Sequence, residues 1–155
     1  PGNSVTYAEA LKMAMEAAGY RPSTVSGDTT TPWHQTYLDK LDALNLPKLN
    51  SKTYADWSLP ATRADIVLII DQVFAIQSVK YTNGTFKDVK TDDAFADDAM
   101  AAYLSGIFTG EGETGNLNPT GQINRASFAK VIGAALKYKG KDQLINKLTE
   151  FNTAK

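Results

Sequence analysis

The sequence has no cysteine and only one histidine in 155 residues. The lack of cysteine excludes a disulfide scaffold, a thiolate metal site and a cysteine nucleophile. Basic and acidic side chains nearly balance, with a formal net charge of -1. This balance argues against nucleic acid as the main partner, because nucleic-acid binding usually needs a basic face. No apolar run approaches the roughly 20 residues of a membrane-spanning helix, so the sequence predicts no membrane span.

What the chain does have is a short pattern that occurs three times, each time where a helix is predicted to begin. The copies centre on Thr6, Thr62 and Asn124, whose side-chain oxygens can accept hydrogen bonds from the first helical turn. An apolar residue precedes each of the three, and another follows four positions later, which is the spacing of a hydrophobic staple. Three such copies indicate a repeat protein.

Apolar residues continue at the same offsets down each of the three helices. Steps of three and four place them on one stripe, which favours burial in a core. We therefore expect three helices packed around a common axis. The stripes are Ala10, Leu11, Ala14, Ala17 and Ala18; Ile66, Val67, Ile70, Val73 and Phe74; and Phe128, Ala129, Ile132, Ala135 and Leu136.

The pattern divides a single domain, residues 1–155, into units of a helix, a loop and a capped helix. We assign residues 1–20 to the tail of a first repeat, 21–78 to a second, 79–139 to a third and 140–155 to a C-terminal amphipathic helix. The apolar stripe of that last helix favours packing on the domain over display to a partner. Since the chain starts at Pro1 in the middle of a repeat, we expect it to be a piece of a longer protein.

The third unit resembles an S-layer homology repeat. Phe86-Lys87-Asp88-Val89, the helix end at Gly106-Ile107, and Ile123-Asn124-Arg125-Ala126-Ser127-Phe128 match that family's motifs. The second unit is similar at Trp33, Leu46, Pro60 and 61–65. The first unit is similar only at Thr6, Ala8 and Glu9.

This resemblance implies an all-α fold, a pseudo-threefold helical prism around a central three-helix bundle, with grooves between repeats. It implies a non-covalent anchoring module of a bacterial surface protein, located outside the cell at the cell wall. The implied partner is an anionic cell-wall polysaccharide, often one with pyruvylated amino sugars, and no cofactor is implied. The motif arginine and an aromatic residue of the preceding helix are typical ligand contacts.

Arg63 and Arg125 stand at the first helical position, where a cation faces the positive end of the helix dipole and costs about 0.3–1 kcal/mol. One explanation is a salt bridge to an acid such as Asp65 or Asp88. The other is an anion site formed by free N–H groups and a guanidinium fork. Tyr7 replaces the arginine in the first unit, so we expect poor anion binding there.

Two tryptophans complete the candidates. Trp33 could stack on a sugar face or fill the core, whereas Trp57 lies in a polar loop and is expected to be exposed. The candidate ligand-binding residues are therefore Trp33, Trp57, Thr62, Arg63, Asp88, Asn124 and Arg125.

Three other interpretations of the sequence compete with polysaccharide binding. An enzyme is disfavoured because His34 has no catalytic companions and the acids from Asp92 to Asp98 read as a solvated face. Calcium binding at 111–116 is disfavoured because Gln122 stands where a bidentate acid is needed. The stronger rival is a structural module that has lost polymer binding and contacts other surface-layer subunits during assembly.

Overall fold

The computed structural model describes residues 3–20, 30–112 and 114–138. Within these ranges the regular structure is entirely helical, which confirms the all-α fold class. The predicted helix at 140–155 lies outside the described residues, and the assigned repeat boundaries stay a prediction. The helices are α1 (Tyr7–Ala17), α2 (Gln35–Ala43), α3 (Arg63–Val73), α4 (Ala96–Leu104) and α5 (Arg125–Leu136).

The three predicted helix starts are confirmed. Thr6 Oγ1 accepts from the backbone N–H of Glu9, the third residue of α1, at 3.1 Å. In turn Glu9 Oε1 accepts from the Thr6 N–H at 3.2 Å, which completes a capping box. Thr62 and Asn124 cap α3 and α5 in the same way, at 3.2 and 2.8 Å. Side-chain acceptors therefore satisfy N–H groups that the helices leave unpaired.

The segments that lead into these caps meet each other in a ring. Isolated antiparallel bridges join Thr6 to Pro60, Thr62 to Gln122, and Asn124 to Ser4. Each bridge links a cap residue to the residue two places before the next cap. The order runs from α1 to α3, from α3 to α5 and from α5 back to α1. The three helix starts are therefore linked in a closed ring.

Below this ring the packing is less symmetric. Helix α1 packs against both α3 and α5, while α2 packs on α1 and α4 on α3. Helices α3 and α5 make no comparably extensive contact within the described residues, so the prism as a whole stays a prediction. The predicted burial of the apolar stripe of α5 is wrong at two positions, because Ala129 and Leu136 are exposed.

Three of the described helices end in a Schellman motif, in which a residue with positive φ follows the C-cap and the N–H after it donates to a carbonyl five residues back. Gly19 and Gly106 take this position after α1 and α4, with φ of 91° and 74°. After α3 the position is held by Ala75, with φ of 55°. The Ile76 N–H donates to Asp71 O at 2.7 Å. This closure ends α3 at Val73.

Helix α3 contains an uninterrupted apolar run, from Ile66 to Ile70. Among the described residues, no helix has both the length and the apolar character needed to cross a membrane.

Candidate ligand cleft

A cleft of about 470 Å³ lies beside the start of α3, and Arg63 lines it. Its walls are the loop that follows α4 and one face of α5. Sequence reasoning identified Arg63 but missed the other residues, because they come from segments that only the fold brings together. The lining residues are Arg63, Gly106, Ile107, Phe108, Thr109, Gly110, Glu111, Gly112, Ile123, Ser127, Lys130, Val131 and Ala134.

The Arg63 side chain is held in a defined orientation. Its Nε donates to the backbone carbonyl of Leu117 at 2.8 Å, and its guanidinium carbon lies 4.7 Å from the centre of the Phe108 ring. Although the residue is only 8% exposed, it forms no salt bridge with any described carboxylate. The Leu117 bond uses only Nε, so the terminal NH₂ groups have no hydrogen-bonding partner among the described residues.

The electrostatic surroundings of Arg63 pull in two directions. Burial lowers the pKa of the guanidinium, while the negative charges of Glu111 and Asp88 raise it. Glu111 also accepts from Asn118 Nδ2 at 3.0 Å. Together with Lys130 of α5, the described lining carries two cations and one anion. Asp88 is a second acid that acts on Arg63 from outside the lining.

The expected contribution of free backbone N–H groups at the start of α3 is wrong. The N–H of Arg63 donates to Gly121 O at 2.8 Å, and that of Ala64 donates to Pro119 O at 3.0 Å. The next N–H is taken by the Thr62 cap. Since all three donors are used internally, an anion in this cleft would rely on the guanidinium and not on the helix N-terminus.

Asp88 holds the loop behind Arg63. Its two carboxylate oxygens accept from the backbone N–H groups of Leu117 and Asn118, each at 2.8 Å. Asp88 forms no salt bridge with Arg63, so that alternative from the sequence is wrong for this pair. The observed geometry gives Asp88 a positioning role, because it orders the residue to which Arg63 is bonded.

Arg125 is in a different situation from Arg63. Its Nη1 lies 2.9 Å from Glu9 Oε2, and the arginine side chain is 55% exposed. The salt bridge that the sequence allowed therefore exists here, but with an acid of the first repeat instead of Asp65 or Asp88. A ligand at Arg125 would have to compete with Glu9.

The cap residues Thr62 and Asn124 were also candidates for ligand contact. Thr62 Oγ1 accepts from Asp65 N and lies 3.0 Å from Asp65 Oδ2, so the hydroxyl is engaged on both counts. Asn124 Oδ1 is engaged by Ser127 N. Both side chains therefore cap their helices. Of these two described residues, only Asn124 keeps a donor group, its amide nitrogen, without a partner among the described residues.

The structure decides between the two alternatives for Trp33 and reverses the expectation for Trp57. Trp33 is 54% exposed, with Lys12 Nζ 5.6 Å from its ring centre, so it does not fill the core. Trp57 is 5% exposed, and the expectation that it is exposed is wrong. Its ring packs edge-on against Tyr54 and Tyr7, and its Nε1 donates to Ser51 O at 2.9 Å. This hydrogen bond satisfies the indole inside an aromatic cluster.

A second cavity, of about 520 Å³, lies near the end of α3 and is lined partly by Asp71, Asp98 and Lys48. Asp71 is completely buried and its carboxylate oxygens have no hydrogen-bonding partner. Burial and the nearby Asp98 raise the pKa of Asp71 well above its usual range, against the opposing charge of Lys48. Asp98 is itself buried and paired with Lys48 at 3.2 Å, so its expected place on a solvated face is wrong.

The described residues contain no cluster of three or more acidic or imidazole side chains arranged to share a metal ion.

Comparison with known proteins points to a family. The family model of the S-layer homology domain matches residues 85–129, which include Asp88 and the start of α5. This match covers the third repeat, where the sequence resemblance was strongest.

Two longer proteins show similarity over most of this chain. Exoglucanase XynX of Acetivibrio thermocellus is 28% identical over 111 residues, which are 72% of this chain and 10% of that protein. Amylopullulanase of Thermoanaerobacterium thermosulfurigenes is 27% identical over 104 residues, which are 67% of this chain and 5% of that protein. The chain thus spans a tenth or less of each relative. The match of the S-layer homology model to residues 85–129 confirms the resemblance that the sequence motifs indicated.

Proposed function

We propose that this chain is a non-covalent anchoring module of a bacterial surface protein, and that it binds an anionic cell-wall polysaccharide in the Arg63 cleft. The proposal places the module outside the cell, at the wall surface. It assigns no catalytic role to the chain, and the enzymes named above contain it only as a small fraction of their length. The S-layer homology match favours the anchoring role over catalysis.

One observation carries the proposal: a guanidinium lies in a cleft and forms no salt bridge with a described carboxylate. Leu117 and Phe108 fix the plane of Arg63, so the terminal NH₂ groups lose little further freedom on binding. A fixed guanidinium fork suits a carboxylate, which can accept two parallel hydrogen bonds. A ketal carboxylate on a sugar, such as a pyruvyl group, has this geometry, and Lys130 adds a second positive charge.

Trp33 is proposed as a separate sugar-stacking residue. Its ring is more than half exposed and Lys12 Nζ lies over it, so an aromatic surface and a positive charge, both of which an anionic saccharide would use, occur together. Asp88, Thr62 and Asn124 support the helix starts and the loop, and Trp57 supports the core. Arg125 is a weaker ligand contact than Arg63, because Glu9 already pairs with it.

The test is co-sedimentation of the chain with purified Gram-positive cell-wall sacculi. A parallel set of sacculi is stripped of its secondary polysaccharide with hydrofluoric acid. We expect binding to intact sacculi only. Arg63→Gln should weaken binding about tenfold or more, and Arg63→Lys should weaken it less, since an ammonium keeps the charge but loses the fork. Lys137→Gln, an exposed change outside the cleft, is the charge control, and thermal melts check that every variant folds.

Equal binding to stripped sacculi would contradict a polysaccharide ligand. Absence of wall binding together with concentration-dependent self-association, measured by analytical ultracentrifugation, would favour the alternative of a structural module in surface-layer assembly. Release of soluble sugar would indicate an enzyme.

A further inference from the structure

The ring of helix starts brings together the first residue of one helix and the third residue of the next. In α1 and α3 these residues are Tyr7 and Asp65, and the Tyr7 hydroxyl donates to the Asp65 carboxylate. In α5 and α1 they are Arg125 and Glu9, joined by the 2.9 Å salt bridge. At two of the three interfaces, the side chain of the first helical residue is therefore paired with an acidic side chain of the next helix.

At the third interface, from α3 to α5, the residues at the equivalent positions are Arg63 and Ser127, and both line the cleft. A serine hydroxyl carries no charge and cannot neutralise a guanidinium. The other two interfaces supply an acid at this position, and the α3–α5 interface does not. Arg63 accordingly forms no salt bridge with a described carboxylate.

A different backbone register does not explain the missing acid. At the α1–α3 interface, the N–H groups of the first two helical residues donate to Leu59 O and Trp57 O, at 3.0 and 2.8 Å. At the α3–α5 interface, the equivalent groups donate to Gly121 O and Pro119 O, at 2.8 and 3.0 Å. The acceptors precede the next cap by three and five residues in both cases. The interfaces thus match in register and differ in side chains.

We propose that the third residue of each capped helix determines whether the neighbouring arginine accepts an external anion. Ser127 keeps Arg63 open, whereas Glu9 acts as an internal carboxylate that occupies Arg125. The chain thus has one open anion cleft and one that its own side chain closes. The identity of the external anion rests on the proposed function, but the internal pairing does not.

The first experiment measures sacculi binding of Ser127→Glu, which supplies the missing acid. Ser127→Gln has the same size without the charge, and Ala129→Glu places the same charge on an exposed position of α5 outside the cleft. We expect Ser127→Glu to bind at least about tenfold more weakly than Ser127→Gln, and Ala129→Glu to bind like the unmodified chain. Equal binding by the two Ser127 variants would overturn the proposal.

The converse variant is Glu9→Gln. Glutamine can still accept from the Thr6 N–H, so the capping box is kept while the charge that occupies Arg125 is removed. We expect about two- to tenfold tighter binding to intact sacculi. Unchanged binding would show that Glu9 does not block an anion site at Arg125.

A second measurement needs no polysaccharide. Carboxyl ¹³C NMR titration follows the carboxylate introduced by Ser127→Glu, with Ala129→Glu as the reference. Pairing with Arg63 should place the pKa of the introduced carboxyl about one unit or more below that of the reference. Equal pKa values would overturn the internal pairing, whereas loss of wall binding by the unmodified chain would overturn only the proposed function.

Discussion

Asp88 and Arg63 contact Leu117 at its two backbone polar groups. The Leu117 N–H donates to Asp88 Oδ1 at 2.8 Å, and the Leu117 carbonyl accepts from Arg63 Nε at 2.8 Å. The residues are far apart in sequence, yet this one buried peptide segment couples their positions. The orientation of the cleft guanidinium therefore depends on a carboxylate that does not touch it.

Asp88→Asn should loosen the loop without removing Arg63. An amide has one acceptor oxygen, so the Leu117 or the Asn118 N–H loses its partner. We expect a loss of about 1–3 kcal/mol in unfolding free energy. Faster hydrogen exchange at these two amides and weaker sacculi binding should accompany it. Asp92→Asn, an exposed change in the same loop region, is the control; equal exchange in both variants would contradict the clamp.

The two tryptophans should respond oppositely to truncation. Trp57→Ala removes a buried ring and should cost about 3–5 kcal/mol, measured by urea unfolding. Trp33→Ala removes an exposed ring and should change stability by less than about 0.5 kcal/mol. In the variant Trp33→Phe the remaining Trp57 should be protected from iodide quenching, whereas in Trp57→Phe the remaining Trp33 should be quenched. Equal quenching in the two variants would contradict the difference in exposure.

Asp71 predicts a specific dependence of stability on pH. Because burial raises its pKa in the folded state, the folded chain holds this proton more strongly than the unfolded chain. The contribution of Asp71 to the unfolding free energy should fall as the pH rises above 3.8, the ordinary pKa of an aspartate. The fall should be about 1.4 kcal/mol per pH unit and should level off above the folded-state pKa.

Asp71→Asn should remove this decline, so the variant should exceed the unmodified chain in stability near pH 8 by urea unfolding. Asp92→Asn is the matched exposed control and should follow the unmodified chain across the pH range. Parallel curves for all three proteins would show that Asp71 does not titrate in this way.

A glycine in place of Ala75, which follows the C-cap of α3, should increase the stability of the protein. A left-handed backbone costs a residue with a Cβ atom roughly 1–2 kcal/mol, and glycine avoids that cost. Ala75→Gly should therefore raise the unfolding free energy by about 0.5–1 kcal/mol after the extra chain entropy of glycine is counted. Gly19→Ala is the reverse change in the same motif, with no atom near the added Cβ, and should destabilise by about 1 kcal/mol. Thermal melts that move both variants in one direction would contradict the strain argument.

Local sequence determined the helix starts of this protein. The cap at Thr6, Thr62 or Asn124 depends on atoms within three residues, so the pattern alone predicts it. The same locality explains why the resemblance to S-layer homology repeats was visible in the third unit. The neighbouring loops were predictable only as loops.

The tertiary structure decided which arginine is free. Arg63 and Arg125 have the same position in the repeat, but Ser127 lines the cleft of the first and Glu9 pairs with the second, from segments far away in the chain. Trp57 shows the same limit, because its polar neighbours in sequence favour exposure while Tyr7 and Tyr54 bury it. Ion pairing and burial depend on partners that only the ring of three helix starts brings within contact distance.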